Sequence, residues 1–366
     1  DEHGILANHH AMALLPLYYA AHVLHDDSLL YNFNEKLDFF LGLQSNEGWF
    51  LEYDGADLGY LSASISFLTK LLKIMEINGT HTEWKTKIEA SIPPAIAFAS
   101  HFVYPNGYYG GTMGSRQTLH FYPHGFEVWA TKNEHAAAVA DWMAEGLANG
   151  TLVPPRIMPD RYVAYRVNEF LQSFLDAFPR GKTKRGTLPW QGESFHTYFS
   201  HARMVVRKTK SYYAVVNLAK GGVIKAFDLH TNHLLLNDCG IMLTDTEGMV
   251  STTQWIDDAY TCTDHENKSQ VTGLMHKWAN ELPTPLKMMA LRSALITLGS
   301  NTDMAYSIKG KIRERIILQN KALPLSFNRK IIWKENEFSV TDEINSESYP
   351  QSFLNGKKGD EFSFHT

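Results

Sequence analysis

Lys182-Thr183-Lys184-Arg185-Gly186-Thr187-Leu188-Pro189-Trp190-Gln191-Gly192 is the seam of this chain. The stretch is basic, contains glycine and proline, and carries neither a helical nor a strand period. Before it, apolar residues recur at helical spacing over 5–24, 29–43, 58–77, 84–102, 134–147 and 161–178, with short polar connections. After it come short β-branched and aromatic runs: Met204-Val205-Val206-Arg207, Tyr212-Tyr213-Ala214-Val215-Val216 and Val223-Ile224-Lys225-Ala226-Phe227. Further runs at 291–297, 312–318, 330–333 and 338–341 are read the same way, with Lys220-Gly221-Gly222 and Lys334-Glu335-Asn336 as turns. The pattern predicts an α+β multidomain chain: a helical domain over 1–181, a linker over 182–194 and an antiparallel β domain over 195–366. Successive helices on short turns make a bundle, solenoid or toroid, and no fixed-period repeat selects one. The strands suit two packed sheets. Pro16 predicts a kink in the first helix.

Composition narrows the function classes. A chain of 366 residues exceeds one typical core. No apolar run reaches the roughly 18 residues a transmembrane segment needs, so none is expected. A net charge of -5 with pI near 6.4 argues against a generic nucleic-acid binder. The run Arg180-Gly181-Lys182-Thr183-Lys184-Arg185 reads as a solvated linker. Cys239 and Cys262 cannot build a tetrahedral metal site by themselves, nor a disulfide framework, and whether they pair is open. The triplets starting at Asn78, Asn149 and Asn267 fit the glycosylation pattern, which matters only in a secretory setting. Asp1 opens close to a helical run without a signal peptide, and Phe362-Ser363-Phe364-His365-Thr366 stops on strand-like sequence. Truncation at both ends is the expectation.

The helix connections are rich in glycine and aromatics: Gly48-Trp49-Phe50, Tyr104-Pro105-Asn106-Gly107-Tyr108-Tyr109-Gly110-Gly111 and Phe121-Tyr122-Pro123-His124-Gly125-Phe126. Aromatic faces stack on the apolar faces of sugar rings, so a carbohydrate cleft at one end of the helices is expected, with Trp49, Tyr53, Tyr108 and His124 among its binding residues. The competing reading is that these rings cap the helical core. Arg116, in Gly114-Ser115-Arg116-Gln117-Thr118, either clamps a carboxylate with its two-donor fork or pins its own loop. Asn8 is a possible helix N-cap. His9 and His10 point about 100° apart on a helix, so they do not share a face. His230, His233, Asp228 and Asp238 could offer zinc ligands but read better as surface turns, so no cofactor is required and no metal site is predicted.

Three stretches carry a resemblance: Asn8-His9 in a helix, Tyr53-Asp54-Gly55-Ala56-Asp57-Leu58-Gly59-Tyr60, and Ser200-His201-Ala202-Arg203-Met204 entering a strand. Together they resemble the heparinase II/III-like polysaccharide lyases and their alginate-lyase relatives, over most of the chain. The resemblance implies an incomplete (α/α) toroid, short of amino-terminal helices, followed by an antiparallel β-sandwich. It also implies a periplasmic or secreted setting and an acidic polysaccharide or oligosaccharide as partner. Cleavage would run by β-elimination. Asn8 and His9 would neutralise the uronate carboxylate as the proton leaves carbon 5, and Tyr60 would act as acid and base. His201, with His124 as a second candidate, would supply the additional histidine. Tyr60 could serve as base if nearby cations lowered its pKa below about 10. Two alternatives stay open: a glycoside hydrolase using Glu52, Asp54 and Asp57, and a glycan-binding protein without chemistry.

Overall fold

The spacing of Ala7, Ala11, Leu14, Tyr18 and Ala21 puts five buried side chains on one stripe of α1 (Ala7–Leu24). They meet the matching stripe of Phe33, Leu37 and Phe40 on α2 (Ser28–Leu41). Fully burying one such phenylalanine is worth about 2–3 kcal/mol. Pro16 denies the carbonyl of Met12 its partner, yet the helix runs on through it. The computed structural model describes residues 6–345 except 80, 159, 179–183, 246–247, 279–283, 299–303, 305–306 and 308–321.

A two-stranded hairpin, β1 (Leu51–Glu52) and β2 (Gly55–Ala56), leads into α3 (Leu58–Asn78). This helix is buried around most of its girth and touches α1, α4 (Thr82–Ser100) and α5 (His124–Trp129). Among the described residues it alone is long and apolar enough to cross a bilayer, but 72% of the relevant window is buried, as suits a helix at the centre of its layer. α6 (Glu134–Asn149) and α7 (Asp160–Ala177) complete the helical half.

The seam is less of a linker than its composition suggests. Gly186 N donates to the Glu134 carbonyl at 2.9 Å, and Leu188 and Trp190 are buried in the helical core. Beyond it, β3 (Phe195–Phe199), β4 (Met204–Lys208), β5 (Tyr212–Asn217), β6 (Val223–Asp228) and β7 (Leu234–Asp238) form an antiparallel sheet in chain order. Met204, Val206, Tyr213, Val215 and Phe227 join the helical core, while Val205, Tyr212, Ala214, Val216 and Ile224 join a second core. Burial on both faces accounts for the unbroken apolar runs in β5 and β6.

The second core is shared with another antiparallel sheet. It comprises β8 (Met242–Thr244), β9 (Val250–Thr252), β10 (Thr261–His265), β11 (Lys268–Lys277), β12 (Ala322–Trp333) and β13 (Phe338–Asn345). Its order is β13-β12-β11-β9-β8, with β10 also on β11. The chain is therefore α+β, with helices in its amino-terminal half and antiparallel sheets in its carboxy-terminal half. One expected strand is a helix: 291–297 lies in α8 (Pro285–Leu298). Thr284 Oγ1 takes the Lys287 amide at 3.3 Å, Pro285 occupies the first position, and Leu, Lys, Met and Ala follow, so helix formers outweigh Ile296 and Thr297. The run at 312–318 lies outside the described residues.

Candidate functional site

Asp57 organises the region where the two halves meet. As N-cap of α3 it accepts the Tyr60 amide on Oδ1 at 3.0 Å. Its Oδ2 accepts the Arg116 amide at 2.9 Å and the more distant Thr118 amide at 3.5 Å, so one carboxylate ties the 114–118 loop to the start of α3. Two glycines allow that approach. A Cβ on Gly59 would stand 2.5 Å from the Thr118 side chain, and one on Gly114 2.6 Å from Asp57 Oδ2.

The same loop meets the β half through Lys220. Its ammonium is buried and donates to the carbonyls of Thr112 at 2.9 Å and Gly114 at 2.7 Å, while Asn217 Nδ2 donates to the Met113 carbonyl at 2.7 Å. Between the halves opens a cleft of about 270 Å³. Tyr53, Asp54, Ser115, Arg116 and Gln117 form its helical wall; Lys220, Gln254, Trp255, Ile256 and Trp278 form its β wall. Tyr53 and Gln117 hold positive φ of 60° and 57°, a conformation that costs non-glycine residues about 1–3 kcal/mol and concentrates at ligand sites.

Arg116 is exposed, its guanidinium carbon 4.1 Å from the Tyr53 ring centre, and it forms no ion pair among the described residues. Loop pinning therefore falls to its backbone amide. Trp255 is backed by the His276 ring at 5.7 Å, and His276 Nε2 lies 3.1 Å from Asp257 Oδ2. Arg203, in the β3–β4 turn, holds the adjoining 257–258 segment by donating to the Asp257 carbonyl at 3.1 Å and to Asp258 at 2.8 Å.

The electrostatics divide the titratable groups. Burial and the neighbouring Asp57 charge push the Tyr60 phenol up to about 12, against a hydrogen bond with Thr118. The expectation that cations lower it is reversed, because the charges acting on it belong to Asp57 and Glu52. At neutral pH Tyr60 is a proton donor. Burial and Asp258 raise the Asp54 carboxyl, with Arg116 opposing. Burial lowers Lys220 to about 8.

Lys220 gives a pH signature. Between about 8 and its unfolded value near 10.4, the folded amine is deprotonated while the unfolded one still holds its proton. The unfolded chain then binds more protons, so this group's contribution to stability rises with pH across that window and is lost as pH falls through about 8. Its positive charge disappears from the cleft over the same window. Affinity for an acidic oligosaccharide should fall as pH passes about 8 in the wild type and stay flat in Lys220→Met, as read by titration calorimetry.

The other predicted residues are dispersed. Asn8 is buried in the first turn of α1, two residues past the N-cap Leu6; its backbone amide donates to Glu52 Oε1, and its side-chain Oδ1 has no hydrogen-bond partner among the described residues. His9 is exposed on the same turn. Neither lines the cleft. Trp49 belongs to the core and is unsuited to stacking on a sugar: it is 7% exposed and its indole donates to Glu47 at 2.9 Å. The Glu47 carboxylate also takes the amides of His201 and Ala202 at 2.8 and 3.0 Å, which holds the exposed His201 in the β3–β4 turn outside the cleft lining. Tyr108 is half-buried away from the cleft, and burial pushes its phenol to about 12. His124 is fully buried, with Nε2 2.7 Å from Asp176 Oδ2 inside the helical layer, so no sugar reaches it.

Of the three carboxylates suited to hydrolysis, Glu52 and Asp57 are buried and held by backbone amides, and Asp54 reaches the cleft. A glycosidase needs two on the substrate. Asp228 closes its own turn onto the amides of His230 and Thr231, and Asp238 pairs with Arg329 at 3.1 Å. No group of three or more metal-ligating side chains is assembled among the described residues.

Sequence reasoning missed the whole β wall. Lys220 reads as the start of a Gly-Gly turn, although its three-residue distance from Asn217 caps a tight turn that faces Met113. Trp255-Ile256 is an apolar pair between Thr252-Thr253-Gln254 and Asp257-Asp258, and large apolar residues inside a polar turn were the available signal. Compared with family models, curated proteins and solved structures, the chain matches none.

Proposed function

We propose that this chain is a polysaccharide lyase that cleaves a uronate-containing glycan by β-elimination, on an incomplete (α/α) toroid backed by a β-sandwich, like the heparinase II/III-like enzymes. The observation that carries the reading is the pairing of cations and aromatics in one cleft: Arg116 and Lys220 beside Tyr53, Trp255 and Trp278. Cations attract a uronate, and the rings offer faces for its pyranose. Tyr60 shares the Asp57 anchor with Arg116, which ties a proton donor to the binding loop.

In this reading the Asp54 carboxylate in the cleft takes the carbon-5 proton, charge grows on the adjacent uronate carboxylate, and Tyr60 protonates the departing glycosidic oxygen. Arg116 holds the carboxylate. The C4–O bond breaks and a double bond forms between carbons 4 and 5, conjugated with the carboxylate. Arg116 thus takes the carboxylate-neutralising role that the resemblance gives to Asn8 and His9, which lie outside the cleft lining.

Incubation with a panel of uronate polymers, followed by ultraviolet absorbance of the conjugated product, tests the reading. Rising absorbance supports it. New reducing ends without absorbance would mean hydrolysis, and binding without either would mean a glycan-binding protein. Arg116→Lys should weaken binding of a uronate oligosaccharide about tenfold, since Lys lacks the planar fork, while the carboxyl-reduced oligosaccharide should bind both forms alike. Equal affinity of Arg116→Ala, Arg116→Lys and wild type for both ligands would remove Arg116 from the site.

A further inference from the structure

One buried charge in the helical half is left short of partners. Arg166 of α7 is 2% exposed, with its guanidinium carbon 4.2 Å from the Tyr122 ring centre. Its Nε and Nη1 have no hydrogen-bond partner among the described residues. Glu169, one turn further along α7, is held by Ser66 Oγ at 2.6 Å and by Lys70; its charge acts on Arg166, with no direct ion pair between them among the described residues. His120 feels the Arg166 charge, and its Nδ1 is likewise buried without a hydrogen-bond partner among the described residues. A guanidinium removed from water with idle N–H donors is costly unless something anionic or strongly polar meets them.

Side chains around this guanidinium reach the surface. His120 and Tyr122 are partly exposed, as is Tyr162, whose ring lies 4.8 Å from that of His120. Tyr122 also lies close enough to Tyr60 to act on its phenol, which puts Arg166 one side chain away from the proposed proton donor. None of these residues lines the Arg116 cleft.

We propose that Arg166, with His120 beside it, is an inner subsite for a sugar carboxylate, separate from the Arg116 cleft and adjoining Tyr60 through Tyr122. The inference rests on the acidic-glycan reading and extends it to a second anionic group of the ligand. Two cationic points along one chain would favour a glycan with acidic groups on more than one sugar over an isolated acidic residue.

The test uses sodium D-glucuronate against methyl D-glucoside at equal ionic strength, in the Arg116→Ala background so that the exposed cation of the outer cleft is gone. Glucuronate should still bind to Arg116→Ala, and adding Arg166→Met or Arg166→Lys should weaken it at least tenfold without changing the response to the glucoside. Loss of glucuronate binding in Arg116→Ala alone would overturn the proposal. So would unchanged affinity on adding either Arg166 substitution. If the Arg166 variants fail to fold, hydrogen exchange of the wild type decides: protection of α7 by glucuronate but not by glucoside supports the subsite, and equal exchange overturns it. Arg166-dependent binding with no unsaturated product from any polymer would sink the lyase reading and leave the subsite. Unsaturated product with an α7 indifferent to glucuronate would sink the subsite alone.

Discussion

Tyr60→Phe should lower turnover about a hundredfold or more while leaving the thermal midpoint nearly unchanged. The substitution removes the phenolic oxygen and keeps the ring; the bond with Thr118 is the contact that goes with it. A hydroxyl pushed up to about 12 by burial and Asp57 holds its proton at any physiological pH, so what the variant loses is a donor to the leaving oxygen. Tyrosine burial has a stability consequence opposite in sign to that of Lys220: the folded state keeps a proton the unfolded chain gives up near pH 10, so this stabilising contribution is lost as pH climbs from about 10 towards 12. Product formation by Tyr60→Phe at the wild-type rate would eliminate Tyr60 as the acid. A collapse of the midpoint would show that the ring's hydroxyl serves packing.

Asp57→Ala should cost about 3 kcal/mol of folding stability and most of the glycan affinity together. Losing an N-cap is worth about 1 kcal/mol, and losing a charged acceptor for a partly buried backbone amide about 1.5–3 kcal/mol. The second loss frees the 114–118 loop, whose Arg116 amide is held by Oδ2 at 2.9 Å. Asp57→Asn keeps a competent cap without the charge, so it should fall between Ala and wild type in urea midpoint. Because the Asp57 charge raises Tyr60, the alkaline limb of the pH–rate profile should move to lower pH in Asp57→Asn. A wild-type urea midpoint in Asp57→Ala would contradict this account of the loop.

The helices were legible because their stripes are periodic: Ala7, Ala11, Leu14, Tyr18 and Ala21 on α1 can be read without a structure. α8 was misread because a window of seven residues showed Leu, Ile and Thr without the Thr284-Pro285 start that fixes the state. Arg116 and Tyr53, both named from sequence as binding residues, line one cleft, on short turns near α3. The β wall was not, because Lys220, Trp255 and Trp278 become neighbours through sheet pairing at long range, and no local period records that. Trp49 and His124 have the same composition cues as Tyr53. What separates them is partners far away in sequence, Glu47 with the 201–202 turn in one case and Asp176 in the other.

The middle strands β5 and β6 have neither side to spare for water, and this limits how such a chain can be cut or recombined. A seam in composition near residue 182 invites division there, yet a β half released at that point would present Met204, Val206, Tyr213, Val215 and Phe227 as one naked apolar surface, and the helical half would bare the complementary one. Neither piece is a portable module. Grafting a foreign helical layer onto these strands, or these strands onto another catalytic scaffold, would have to reproduce that contact residue by residue, so specificity is more open to change through the loops bearing Arg116 and Trp255 than through exchange of halves.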